Sequence, residues 1–105
     1  MPTTTIAGNE VTVDEEGFMT VYDQWNKSIG EELATLIGIS EMTADHWSVV
    51  DFLRSDFANQ GETATLRRVK TIGGIPTKTL FTLFPKKPAK KMAYIAGLPK
   101  PHGCV

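Results

Sequence analysis

The second half of the chain is interrupted at short intervals, and this limits what it can fold into more than any other feature. Gly61, the run Gly73-Gly74-Ile75-Pro76, Pro85, Pro88, Gly97, Pro99 and Pro101 all fall in it. Proline lacks a backbone donor, and glycine readily adopts conformations other residues resist. Only short helices fit between such positions, and no inner β-strand passes through them. The spacing predicts a short helix over 63–72, with Leu66 and Val69 inward and Arg67, Arg68 and Lys70 outward. A second starts at Thr77, carries Leu80, Leu83 and Phe84, and ends at Pro85. A third has Pro88 in its first position, Met92 and Ile95 at i and i+3, and Gly97 as its stop.

The first half reads differently. Residues 3–7 and 10–13 are β-prone, and Gly8-Asn9 between them is a two-residue hairpin signal. Residues 14–17 close the second strand, and Phe18 packs back on the core. Ser28 with Glu31 three residues on matches a capping box, followed by Ile29, Leu33, Leu36 and Ile37 at helical spacing until Gly38. Thr43 caps a longer helix whose apolar face includes Trp47, Val49, Val50, Leu53 and Phe57, ending at Gly61. Trp25, Trp47, Phe52 and Phe57 are read as core. The expected architecture is a mostly α single domain spanning residues 1–105: an N-terminal β-hairpin on a small helical bundle, ending in an extended arm over 97–105.

Composition narrows the class. At 105 residues, with hydrophobic residues at 41% and charged residues at 22%, the chain has one domain's length and ordinary globular usage. No apolar run approaches membrane-spanning length, and the N-terminus lacks a basic segment followed by an apolar core. These features predict neither a leader peptide nor a membrane association, and a cytoplasmic location. The single cysteine, Cys104, leaves no internal disulfide framework and no multi-thiolate metal site. His46, His102 and Cys104 are too few for a metal site, so none is expected.

Charge is divided along the chain. All twelve acids lie between Glu10 and Glu62, a stretch with only Lys27 and Arg54 as bases; nine bases and no acid follow. Such asymmetry suits either an anionic partner or pairing of the two halves across the fold. Arg54, Arg67 and Arg68 fit a partner-facing edge or pairs with Asp51 and Asp56. Direct nucleic-acid binding, the third functional reading, would use the basic half and a possible helix-turn-helix. It is not favoured, because the bases are not interleaved with aromatics on which single strands stack.

The arm is where chemistry can sit. Eight residues, 97–104, reach roughly 25 Å in a polyproline-like path, far enough to bring a thiol into a partner's cleft. Gly97 and Gly103 are expected bending points, Pro99 and Pro101 stiffeners, and Lys100 with Lys86 and Lys90 electrostatic guides. A thiolate is the nucleophile in sulfur exchange. Nearby lysines favour it, the Val105 carboxylate opposes it, and His102 is within reach as a base, although an exposed tail histidine is ordinarily only solvated.

The segments Leu83-Phe84-Pro85-Lys86-Lys87-Pro88-Ala89-Lys90 and Ile95-Ala96-Gly97-Leu98-Pro99-Lys100-Pro101-His102-Gly103-Cys104-Val105 resemble the C-terminal signature of the DsrC/TusE family of sulfur-relay proteins. Asp14 to Gly17, Trp25 and Glu41 to Arg54 resemble it too, so the likeness spans nearly the whole chain. It implies an orthogonal helical bundle with an N-terminal hairpin, a helix-turn-helix-like element and a flexible C-terminal arm. It also implies that Cys104 carries sulfur as a persulfide, a sulfurtransferase in the relay sense. An upstream TusBCD- or DsrEFH-type donor would load it, and a thiouridylase acting on tRNA would unload it. The alternative is a gamma-subunit-like partner of dissimilatory sulfite reductase. In that branch a second cysteine stands eleven residues earlier; here the position is Ala93, so an intrachain disulfide cannot form and the chain sits with single-cysteine, TusE-like members. No metal or organic cofactor is expected, since exchange needs only thiolate access and a suitable leaving group.

Overall fold

The computed structural model describes residues 3–101. Strands β1 (Thr3–Ile6) and β2 (Asn9–Thr12) form an antiparallel hairpin, with Ile6 opposite Asn9. The turn is therefore Ala7-Gly8, one residue earlier than the sequence suggests. Both residues are left-handed, at φ 51 and 79, as the tightest hairpin turns require, and glycine takes the second position. Asn9 stays in the strand and donates from Nδ2 to the Ala7 carbonyl at 3.0 Å.

The Asp14 carboxylate then folds residues 14–18 into a loop, accepting from the Glu16 and Phe18 amides at 2.9 and 3.0 Å. A bridge from Val13 to Met19 extends the ladder, and Phe18 is buried. After a single 3₁₀ turn, Tyr22–Gln24, five helices follow: α1 (Lys27–Leu36), α2 (Ala44–Gln60), α3 (Leu66–Thr71), α4 (Thr77–Leu83) and α5 (Pro88–Ile95).

Asn26 caps α1, accepting from the Ile29 amide at 3.0 Å; the expected cap at Ser28 is corrected. Asparagine caps as well as serine, and the earlier start places Ser28 inside the first turn. Thr43 caps α2 as expected, with His46 completing the reciprocal box usually closed by Glu or Gln. His46 is buried: Nδ1 accepts from the Thr43 amide at 3.1 Å, and Nε2 lies 2.9 Å from the Leu83 carbonyl, to which it donates. The imidazole thereby ties the start of α2 to the end of α4.

Helix α3 begins later than expected because Thr65 is its cap, while Thr63 and Ala64 are buried for other purposes. Proline opens α5 as predicted. The preceding Lys86 and Lys87 are both left-handed, at φ 59 and 45.

Two apolar clusters hold these elements. Ile6, Val11, Val13 and Met19 from the hairpin region pack with Ile29 and Leu33 of α1. The larger cluster joins Val50 and Leu53 of α2, Leu80 of α4, Met92 and Ile95 of α5, and Phe84 and Leu98 beyond the helix ends. Helix α5 touches α1, α2 and α4. Trp25, Trp47, Phe52 and Phe57 pack on this core, half-buried.

Candidate functional site

Residues 97–101, which lead toward the cysteine, follow the C-terminus of α5, and several elements converge there. Gly97, at φ 71, follows the last residues of α5. Its amide donates to Tyr94 O at 3.2 Å, and the Leu98 amide donates to Ala93 O at 3.1 Å. This paired pattern is a Schellman stop, whose left-handed position favours glycine. The hydrophobic contact that usually accompanies it is Leu98, which is fully buried.

Two side chains then take the last carbonyls of the helix, which have no partner within it. Trp25 Nε1 donates to Ile95 O at 2.8 Å, and Arg54 Nη1 donates to Ala96 O at 2.8 Å. The other arm of Arg54, Nη2, donates to Tyr22 O at 2.9 Å. Its guanidinium lies 4.3 Å from the Trp25 ring centroid. Burial lowers the Arg54 pKa, opposed by Tyr22 and Asp23. The indole sits in a slot between two glycines: a Cβ on Gly30 would lie 2.8 Å from Trp25 Cζ2, and one on Gly97 would lie 2.3 Å from Trp25 Cδ1.

Beyond Leu98 the chain stays on the body. Thr63 Oγ1 donates to Pro99 O at 2.7 Å, Lys100 Nζ pairs with Glu16 at 3.1 Å, and Pro101 is buried. The expected departure at Gly97 is thus corrected for residues 97–101. Gly97 is a fixed turn, Pro99 a tethered residue, and Lys100 faces the body's own acid. Gly103, Cys104 and the proposed base His102 lie outside the described residues.

The expected guides Lys86 and Lys90 are not gathered at this root. Lys86 precedes the first turn of α5, and eight residues of helix, about 12 Å at 1.5 Å each, separate that end from the exit. Lys86 is exposed and Lys90 half-buried. Among the described residues two ion pairs join the acidic and basic parts: Lys100–Glu16, and Arg68–Asp56 at 2.7 Å. Asp56 is buried, and its carboxylate takes both Nε and Nη2 of Arg68. Arg54 pairs with neither Asp51 nor Asp56, and Arg67 is exposed.

Sequence reasoning missed Trp25 and Arg54 as binding elements of this root, and missed Thr63 and Glu16 altogether. Their partners stand 70, 42, 36 and 84 positions away, and local periodicity carries no sign of such pairings. Two depressions flank the root. Thr63 lines one of about 140 Å³ floored by Asp56 and Arg68. Glu15, Gly17 and Tyr94 border a larger cleft of about 490 Å³ under the hairpin. Among the described residues no helix is long and apolar enough to cross a membrane.

The fold and this root define a small helical domain, with an N-terminal hairpin, that fixes the exit of its own C-terminal segment. The chain belongs to the family of DsrC-like proteins, whose model matches residues 5–105. It is 35% identical to the gamma subunit of dissimilatory-type sulfite reductase of Nitratidesulfovibrio vulgaris, over the whole of both chains. It is also 35% identical to sulfurtransferase TusE of Salmonella typhimurium, covering 93% of this chain and 95% of that one. Among solved structures, dissimilatory sulfite reductase I (DsrI) includes a chain that superimposes with a TM-score of 0.86 at 34% identity, covering 99% of this chain and all of that one. The oxidized gamma subunit (DsrC) from Archaeoglobus fulgidus superimposes at 0.77 with 32% identity and the same coverage. These likenesses establish the mostly helical, hairpin-led fold expected from the sequence.

Proposed function

We propose that the protein is a sulfur carrier whose penultimate Cys104 accepts sulfane sulfur from one partner and delivers it to another. The observation that carries this reading is the match of the DsrC-like family model over residues 5–105, which includes Cys104. A relative named as a sulfurtransferase and one named as a sulfite reductase gamma subunit stand at the same identity.

The chemistry is thiol exchange. The Cys104 thiolate attacks the outer sulfur of a donor persulfide, R–S–SH. The new S–S bond forms as the old one breaks, giving Cys104–S–SH and the donor thiolate R–S⁻. An acceptor nucleophile then takes the outer sulfur and returns Cys104 to the thiolate. No net oxidation occurs, and the steps call for neither a metal nor an organic cofactor. The donor is of the TusBCD or DsrEFH type and the acceptor of the thiouridylase type, with Lys86 and Lys90 raising the encounter rate.

A second reading, a gamma-subunit-like partner of a sulfite reductase, is favoured by the end-to-end match to the gamma subunit. The lone cysteine limits it: Ala93, fully buried on α5, offers no second thiol, so whatever sulfur Cys104 holds must leave to another molecule.

The test is an intact mass after incubation with a persulfide-loaded cysteine desulfurase. The expected result is a gain of one sulfur atom, reversed by reductant and absent in Cys104→Ser. An unchanged mass across a panel of such donors, with Cys104 still open to a thiol reagent, would defeat the carrier reading.

A further inference from the structure

Phe81 on α4 is 49% exposed, whereas every other aromatic ring among the described residues is buried or half-buried. Leu80 turns into the core. One residue on, about 100° round the helix, Phe81 is left to solvent. Its surroundings are basic. Lys78 lies one turn earlier on the same side of α4, and Pro85, Lys86 and Lys87 follow directly beyond the helix end; all four are exposed.

The segment carrying the last two lysines is fixed and strained. Lys86 and Lys87 are both left-handed, at φ 59 and 45, a conformation that glycine takes without steric cost. They are held on every side: His46 Nε2 donates to Leu83 O before them, Lys91 Nζ donates to Pro85 O, and Pro88 is buried after them. Backbone strain of this kind collects at binding and switch regions, and here it sets two lysines beside an exposed phenyl ring. Neither of them, nor Lys78, has an ion pair among the described residues, and no acid follows Glu62 in the chain.

The rest of the basic half does not extend this patch into a phosphate track. Arg68 is engaged by Asp56, Lys100 by Glu16 and Lys91 by Pro85 O. One ring is also a single stacking platform, where single strands use several in succession. An aromatic anchor ringed by a few bases suits instead a compact protein contact of opposite charge, in which the ring supplies affinity and the charges at the rim govern encounter.

We propose that Phe81, Lys78, Lys86 and Lys87 form a docking surface for the sulfur donor of the relay, a protein whose contact face is an apolar pocket rimmed by carboxylates. Naming the donor as occupant rests on the carrier reading; the surface and the chemistry it selects do not. Docking draws on no residue beyond 101, so it is read with the thiol removed.

The test uses the full chain as Cys104→Ser, titrated with purified donor complexes of the TusBCD and DsrEFH types. With one of them, amide resonance changes are expected to concentrate in residues 77–87. Phe81→Ala should weaken the Kd at least about tenfold, at low and high salt alike. Lys86→Glu with Lys87→Glu should weaken it about tenfold at low salt and far less at high salt, where the rim charges are screened. Leu36→Ala is the control: Leu36 is 64% exposed but lies on α1, and its loss should leave the Kd unchanged.

No binding by any of the donors, changes centred outside residues 77–87, or an undiminished affinity in folded Phe81→Ala overturns the proposal. So does perturbation of residues 77–87 by a poly(U) oligonucleotide and by no donor, which assigns the patch to nucleic acid. Should Phe81→Ala not fold, the perturbation map of the parent decides alone. If a donor docks on α4 while the wild type gains no sulfur by mass, the carrier reading fails and the docking surface stands.

Discussion

Replacing Gly97 with alanine tests the joint on which the tail depends. At φ 71 the added Cβ faces left-handed strain, which costs about 1–2 kcal/mol for a non-glycine residue. It would also stand 2.3, 2.7 and 2.9 Å from Trp25 Cδ1, Cγ and Cβ, inside any tolerable contact, so the indole must move. Moving it withdraws the donor from Ile95 O, about 1–3 kcal/mol for a buried acceptor left unpaired, and disturbs the Arg54 stack, about 0.5–2 kcal/mol. The total is about 2.5–7 kcal/mol, a large share of the roughly 5–15 kcal/mol that holds a domain together. Gly38→Ala is the control: it has φ 92 but nothing within 4 Å of its Cβ, and should lose only the backbone part. Urea unfolding of both variants gives the difference, and indole emission in a Trp47→Phe background reports Trp25 directly. A loss at Gly97 no greater than at Gly38, with Trp25 emission unchanged, would refute the reasoning.

The remaining predictions rest on other contacts. His46→Ala removes the cap reciprocal and the bond to Leu83 O, and should cost about 2–3 kcal/mol in urea unfolding. Lys86→Gly relieves a left-handed lysine at φ 59 and should raise the unfolding free energy in urea by about 1 kcal/mol. Burial holds the Tyr94 phenol above its ordinary value of 10.0, so the unfolded chain releases that proton first. This stabilisation is complete below pH 10 and is lost as pH rises through the folded value. Tyr94→Phe should therefore flatten the alkaline decline in unfolding free energy, and parallel curves for the two proteins would contradict it. Lys86→Ala with Lys90→Ala should slow encounter with an acidic donor several-fold at low salt and little at high salt, without changing stability.

Much of the fold was legible because its signals are local. Thr43 capping α2, Gly61 ending it, Pro88 opening α5 and Gly97 closing it each depend on residues within one turn. The hairpin was found but its turn slipped by one residue, because Gly8-Asn9 and Ala7-Gly8 are both workable turns and only strand pairing selects between them. The α1 cap shifted from Ser28 to Asn26 for a similar reason: two good capping residues lie close together, and packing chooses. Of the candidate site, the lone cysteine, the stiffened tail and the family signature were all in the sequence.

The root of the tail was not. Prolines and glycines state that residues 97–101 are neither helix nor inner strand, and that much follows from backbone chemistry alone. Whether such a segment swings free or lies bound depends on groups brought to it from elsewhere. Trp25, Arg54, Thr63 and Glu16 reach it from a 3₁₀ turn, a helix and two loops. Their own neighbours in sequence gave them other employment: Trp25 as a core aromatic, Arg54 as a partner of Asp51 or Asp56, Thr63 as the start of a helix, and Glu16 as part of the segment closing the second strand. Local sequence thus determined the breaks, the caps and the thiol, whereas tertiary structure decided where residues 97–101 are held, since hydrogen bonds over such separations exist only once the core has assembled.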